Sequence, residues 1–170
     1  MNLGQTEILS EVLISENGQV VYIDKYILKF NQYKHSNNIN NYGGKVILDF
    51  QNEPVFAELL ILRILEAQDY KGVWVDTYRN KFWTSITEKI DITNLDKKIK
   101  TVIEEIYILK GGKKSGCFDV VAYKNNEFVF VELKRGKKDK IRQTQIEWLL
   151  TAKQINKNYK FIIVEWDLNQ

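Results

Sequence analysis

The clearest pattern in the chain is a pair of Val- and aromatic-rich runs at residues 118–123 and 128–133, separated by Asn125-Asn126. Such runs read as β-strands, and Asn tolerates the positive φ of a two-residue hairpin turn. If Lys124 and Glu127 close that turn, the register places Asp119 directly opposite Glu132, with Cβ atoms ~5 Å apart on one face. Lys134, two residues further on, shares that face. Upstream, residues 8–14 and 20–23 form a second hairpin around the turn signal Glu16-Asn17-Gly18, and residues 45–50 read as a strand or an extended lead. Asn52-Glu53-Pro54 reads as the start of a helix running to about Gln68, apolar almost all round, closed by Lys71-Gly72. Residues 73–78 form the first core strand. Apolar positions at Leu95, Ile99, Val102, Ile103 and Ile106 predict an amphipathic helix over 94–109, inserted before the hairpin. A further helix over 141–156, capped by Asp139, carries Gln145 at the head of a stripe with Trp148, Leu149 and Ala152. The run 159–166 closes the chain as a strand apolar enough to be buried on both faces. The expected fold is α/β, with a mixed central sheet flanked by helices and an N-terminal β-hairpin.

Two carboxylates opposed in a sheet destabilise it, and removing a carboxylate from water costs several kcal/mol unless it is paired. Something must offset Asp119 against Glu132. Lys134 pairs with one of them, or a divalent cation neutralises both; Mg²⁺ is commonly held by one or two carboxylates, waters and phosphate oxygens. The first option is an ordinary surface hairpin ending in a Glu–Lys pair. The second is metal-assisted phosphodiester hydrolysis. Glu58 is the other anomaly: its neighbours at i−3, i+3 and i+4 are Val55, Ile61 and Leu62, so it needs a partner or a raised pKa.

Gly116-Cys117-Phe118-Asp119, Val131-Glu132-Leu133-Lys134 and Gln145-Ile146-Glu147-Trp148 together resemble the PD-(D/E)XK nuclease superfamily, most closely its VRR-NUC (virus-type replication-repair nuclease) branch. The match covers roughly the last third of the chain. Phe118 stands where that family usually has proline. The resemblance implies a restriction-endonuclease-like αβββαβ core and a metal-dependent DNA nuclease. It implies Asp119, Glu132 and Glu58 as ligands of Mg²⁺ or Mn²⁺. Lys134 and Gln145 would then be catalytic companions that orient water or stabilise charge. Two other readings stay open: a nucleic-acid-binding module without catalysis, and a nuclease-fold effector or restriction subunit directed by a partner.

Composition narrows the field. The 170 residues are 44% hydrophobic, suiting one domain, with a β-rich extension over 1–50 and the catalytic core over 52–170. One cysteine, Cys117, and one histidine, His35, leave no disulfide and no structural zinc set, and they disfavour His- or Cys-based nucleophilic catalysis. No secretory leader and no membrane-spanning run is expected, which fits a cytoplasmic protein that does not engage a membrane. A homodimer or a protein partner remains open. Residues 110–142 hold ten Lys/Arg against four Asp/Glu, so this stretch is +6 within a net +3. Lys113, Lys114, Arg135, Lys137, Lys138, Lys140 and Arg142 are the expected phosphate contacts, with Arg79 and Lys81 as a second basic–aromatic segment.

Overall fold

The structure, a computed structural model, describes residues 1–4, 7–34, 39, 41–42, 44–77, 81–136 and 139–169. It is an α/β fold on one mixed eight-stranded sheet flanked by helices. In chain order the elements are β1 (Glu7–Ile14), β2 (Val20–Phe30), β3 (Leu48–Phe50), β4 (Glu53–Val55), α1 (Ala57–Glu66), β5 (Lys71–Asp76), β6 (Lys81–Trp83) and β7 (Lys89–Ile90). There follow α2 (Lys97–Leu109), β8 (Val120–Lys124), β9 (Glu127–Arg135), α3 (Gln143–Ile155) and β10 (Lys160–Leu168). The sheet order is β1-β2-β10-β9-β8-β5-β6-β7. β10 runs parallel to β2 and β9, and the other pairs are antiparallel.

The hairpin register is the one the turn predicts. Lys124 pairs with Glu127 and Val120 with Val131, while Asn125 takes φ 58 at the turn. The regular ladder stops there, one residue short of Asp119 and Glu132. Alternation along β9 then divides its side chains. Val129, Val131 and Leu133 join the core under α1, and Phe130 joins the core under α2 and α3. Glu132 and Lys134 continue the Phe130 side, toward α3. Trp148 of α3 stacks on Phe118 and meets Phe130 edge-on, which locks that helix over the hairpin.

Several boundaries differ from the sequence expectation. Asn52 does not cap a helix: Gln51 and Asn52 take positive φ in the turn joining β3 to β4, and Pro54 pairs with Asp49 in that two-stranded hairpin. The helix starts only at Ala57, because a β-turn here satisfies the backbone that a helical first turn would leave open. Lys71 and Gly72 begin β5 rather than closing the helix. A Cβ on Gly72 would lie 2.7 Å from Ala122 Cβ and 2.8 Å from Leu62, so the glycine admits α1 close to the sheet. α2 begins at Lys97, with Asp96 accepting from the Lys98 and Ile99 amides. α3 begins at Gln143 with Arg142 at its N-cap, and Asp139 instead faces Lys134. The N-terminal hairpin is part of the main sheet through β2 and β10. Among the described residues no helix is long and apolar enough to cross a membrane.

Candidate active site

Where β8 and β9 part from the ladder, the backbone carbonyl of Asp119 accepts from the Val75 amide at 2.7 Å, tying this corner to β5. The Asp119 carboxylate reaches across to β9, and its Oδ2 accepts from the Leu133 amide at 2.9 Å. Glu132, 3% exposed, presents Oε1 to the Lys134 ammonium at 2.9 Å. Its other oxygen, Oε2, is buried without a hydrogen-bond partner. Lys134, also buried, meets Asp139 Oδ1 at 3.5 Å on its far side. These groups line a cleft of about 340 Å³ together with Glu58, Asp76, Tyr42, Lys45, Arg142 and Gln145.

Electrostatics single out the same corner. Burial raises the Asp119 pKa well above the carboxylate range, and the charges of Glu132 and Glu58 push it further; the Leu133 amide and Lys45 oppose this. Burial also raises Glu132, against the pull of Lys134 and the nearby Gln145 amide. Two carboxylates that resist ionising side by side, with one oxygen unpartnered, fit an all-oxygen site for a hard divalent cation. Among the described residues no three His, Cys, Asp or Glu side chains already converge on one ion position. The donor set at hand is therefore Asp119 and Glu132, with Glu58 on the same cleft wall. Glu58 is buried on α1 and ion-pairs with Lys45.

Gln145 is buried at the start of α3, and its Oε1 accepts from the Arg142 amide at 3.0 Å. That bond fixes the side-chain plane and leaves the amide nitrogen for the cleft. Gly116 explains how the helix comes so near. Its φ is 94°, and a Cβ there would lie 1.9 Å from the Thr144 carbonyl. Half-buried Lys110 donates to the Ser115 and Thr144 carbonyls, stitching the same loop to α3, and desolvation lowers its pKa. Burial raises the Cys117 thiol, so this cysteine is a packed side chain rather than a nucleophile.

The basic positions divide. Lys113, Lys114, Arg135, Lys140 and Arg142 are exposed. Of these, Arg142 lines the cleft, Arg135 lies over the Trp166 ring and Lys114 over the Tyr107 ring. Lys81 is tied to Asp91 at 2.7 Å, on the far side of β5 from β8 and β9. Phe82 and Trp83 beside it are core residues, not a stacking surface. Arg79, Lys137, Lys138 and His35 lie outside the described residues.

Sequence reasoning missed Asp76, Tyr42 and Lys45. Asp76 ends β5, and its Oδ2 accepts from the Tyr42 hydroxyl at 2.5 Å. An acidic residue closing an apolar strand was the available signal for Asp76. Tyr42 and Lys45 come from irregular chain before β3, where no periodicity marks them. Compared with known proteins, the chain matches no family model, no curated protein and no solved structure.

Proposed function

We propose that this protein is a metal-dependent nuclease that hydrolyses phosphodiester bonds of DNA, on a restriction-endonuclease-like core. The observation that carries the reading is the corner itself. Asp119 and Glu132 are forced together at the open end of an otherwise apolar hairpin, both are raised by burial, and one Glu132 oxygen has no partner. The order α1, β5, β8, β9, α3, β10 supports it as well, with β5, β8 and β9 antiparallel and β10 returning parallel beside β9. This order supports the αβββαβ arrangement that the resemblance to PD-(D/E)XK nucleases implies.

In this mechanism Asp119 and Glu132 would hold the divalent cation, Mg²⁺ or Mn²⁺, with Glu58 as the third acidic group. The chemistry it would supply there is polarisation of the phosphate and a lowered pKa for a water. The buried Lys134 ammonium donates to the attacking oxygen or to the charge that develops on the phosphate. Its position is fixed from both sides, by Glu132 and Asp139. Gln145, held by its bond to the helix start, orients its amide toward Glu132. Arg142 and the exposed lysines of the flanking loops hold the backbone of the substrate.

The test is a cleavage assay on linear, circular and branched DNA and on RNA, with Mg²⁺, Mn²⁺ or EDTA. Divalent-dependent DNA cleavage, lost in Asp119→Ala and Glu132→Ala, is the expected result. Full activity in EDTA overturns the metal mechanism. Exposed Ile8, Val12, Ile14, Val20 and Tyr22 on the N-terminal hairpin favour one variant of the reading, a subunit directed to its target by a protein partner.

A further inference from the structure

We propose that Lys45 is the resident counter-cation of the site, holding Glu58 while no divalent cation is bound and competing with that cation for the same carboxylate. The inference rests on the metal-dependent reading above.

Two lysine–carboxylate pairs line the cleft, and they differ in freedom. Lys134 is enclosed: its side chain is 7% exposed and its ammonium lies between Glu132 and Asp139. The Lys45 side chain is 37% exposed, while its partner Glu58 is 10% exposed. The carboxylate is therefore fixed on α1, and the ammonium is the member that is able to leave.

A place for it exists. Lys45 and Glu58 line both the main cleft and a second cavity of about 190 Å³ bounded by Gly44, Phe56, Arg135 and Trp166. Lys45 Nζ also lies 5.0 Å from the centre of the Trp74 ring, an attraction a lysine keeps at little desolvation cost. Lys45 precedes β3 in irregular chain, so its side chain moves without disturbing a ladder.

The reach of Lys45 extends past Glu58. Lys45 pairs with Glu58, and its charge also bears on Asp119, so the same ammonium acts on two of the three carboxylates assigned to the cation. The third, Glu132, also lines the cleft; it is met by Lys134 on one oxygen only, and its buried Oε2 has no hydrogen-bond partner. That oxygen would be open to a divalent cation, whereas the Glu58 carboxylate would be open to it only where Lys45 gives way. Lys45 thus acts through Glu58 as a positioning residue: its ion pair holds the buried carboxylate at the cleft, at the expense of affinity for the cation.

The test is Mn²⁺ binding to the full chain by calorimetry, without substrate, for wild type, Lys45→Met, Lys45→Arg and Glu132→Gln. Removing a unit charge beside a cation site is expected to tighten Mn²⁺ binding about tenfold or more in Lys45→Met. Lys45→Arg, which keeps the charge, should stay near wild type. In an Glu58→Gln background the Lys45→Met change should have no further effect, because the shared carboxylate is gone. If Lys45→Met does not fold, Lys45→Gln carries the same expectation. Unchanged or weaker Mn²⁺ binding in a folded Lys45 variant, with wild type binding normally, overturns the role of Lys45 and leaves the metal site standing. No Mn²⁺ binding by wild type, or equal binding by Glu132→Gln, overturns the metal reading and the role of Lys45 with it.

Discussion

Two hairpins of the same sheet use similar residues to opposite ends. β8–β9 is roofed by α1 on one face and by α2 and α3 on the other, so its valines and Phe130 are buried. β1–β2 lies at the sheet margin, and Ile8, Val12, Ile14, Val20 and Tyr22 stay exposed. Each hairpin also carries a lysine–glutamate pair. Lys25 and Glu11 meet at 2.6 Å with side chains 18% and 38% exposed; Lys134 and Glu132 meet at 2.9 Å with 7% and 3%. An exposed pair contributes about 0–1 kcal/mol. A buried pair starts from a desolvation penalty of several kcal/mol that its mutual attraction does not always offset. Cover by helices, rather than strand sequence, thus turns an ordinary pair into a desolvated one.

The largest way to sharpen the contrast is catalytic. Asp119→Ala and Glu132→Ala are each expected to lower divalent-dependent cleavage by about 10³-fold or more, while circular dichroism shows the fold retained. Glu11→Ala should leave cleavage at the wild-type level. Equal losses at the two hairpins would remove the distinction. The structural counterpart is Phe130→Ala, expected to cost about 3–5 kcal/mol in denaturant unfolding. Tyr22→Ala, on a side chain 71% exposed, should stay within about 0.5 kcal/mol.

The β8–β9 register was legible because its turn chemistry and its alternation agree, and that alone places Asp119, Glu132 and Lys134 on one face. The order of the core elements was legible for the same reason: each carries its own apolar period. The start of α1 was not, because Asn52 and Pro54 suit a tight turn between two short strands as well as a helix N-terminus. Asp139 was misread as a helix cap, since its choice between a helix start and Lys134 is settled by tertiary placement. Lys45 and Tyr42 were invisible, because their roles depend on where irregular chain crosses the cleft. Gly116 was visible as part of a motif, but its reason, the 1.9 Å approach to the Thr144 carbonyl, belongs to packing.

A smaller effect separates holding from chemistry. Lys113, Lys114 and Lys140 are exposed around the β8–β9 site, and β1–β2 has no comparable cluster. Replacing the three with Ala should weaken DNA binding alike for all sequences and flatten the log K against log salt slope by about 0.9 per lost contact. Turnover at saturating substrate should stay closer to wild type. An unchanged slope would move the binding face elsewhere.

The smallest effect is on stability and is read against pH. In the folded chain burial raises the pKa values of Asp119 and Glu132, and the charges of Glu132 and Glu58 push Asp119 further. A raised carboxyl means that the folded state keeps a proton that the unfolded state has released. Stability therefore falls as pH climbs from the ordinary carboxylate range through the raised values. Lys25 of the marginal hairpin is shifted upward by its bond to Glu11, so its contribution is intact below its unfolded pKa and is lost only at strongly alkaline pH. Between pH 5 and 8, then, these shifts act through β8–β9 and not through Lys25. Asp119→Asn keeps an oxygen for the Leu133 amide and removes the charge. In EDTA at pH 8 it should melt a few degrees above wild type, and the gap should shrink toward pH 5. Saturating Mg²⁺ at pH 8 should reverse the order, because bound cation stabilises the ionised pair in wild type and finds a weaker site in the variant. An Asp119→Asn protein less stable than wild type in EDTA at pH 8 would mean that the carboxylate is already satisfied without a cation, and the contrast between the two hairpins would reduce to exposure alone.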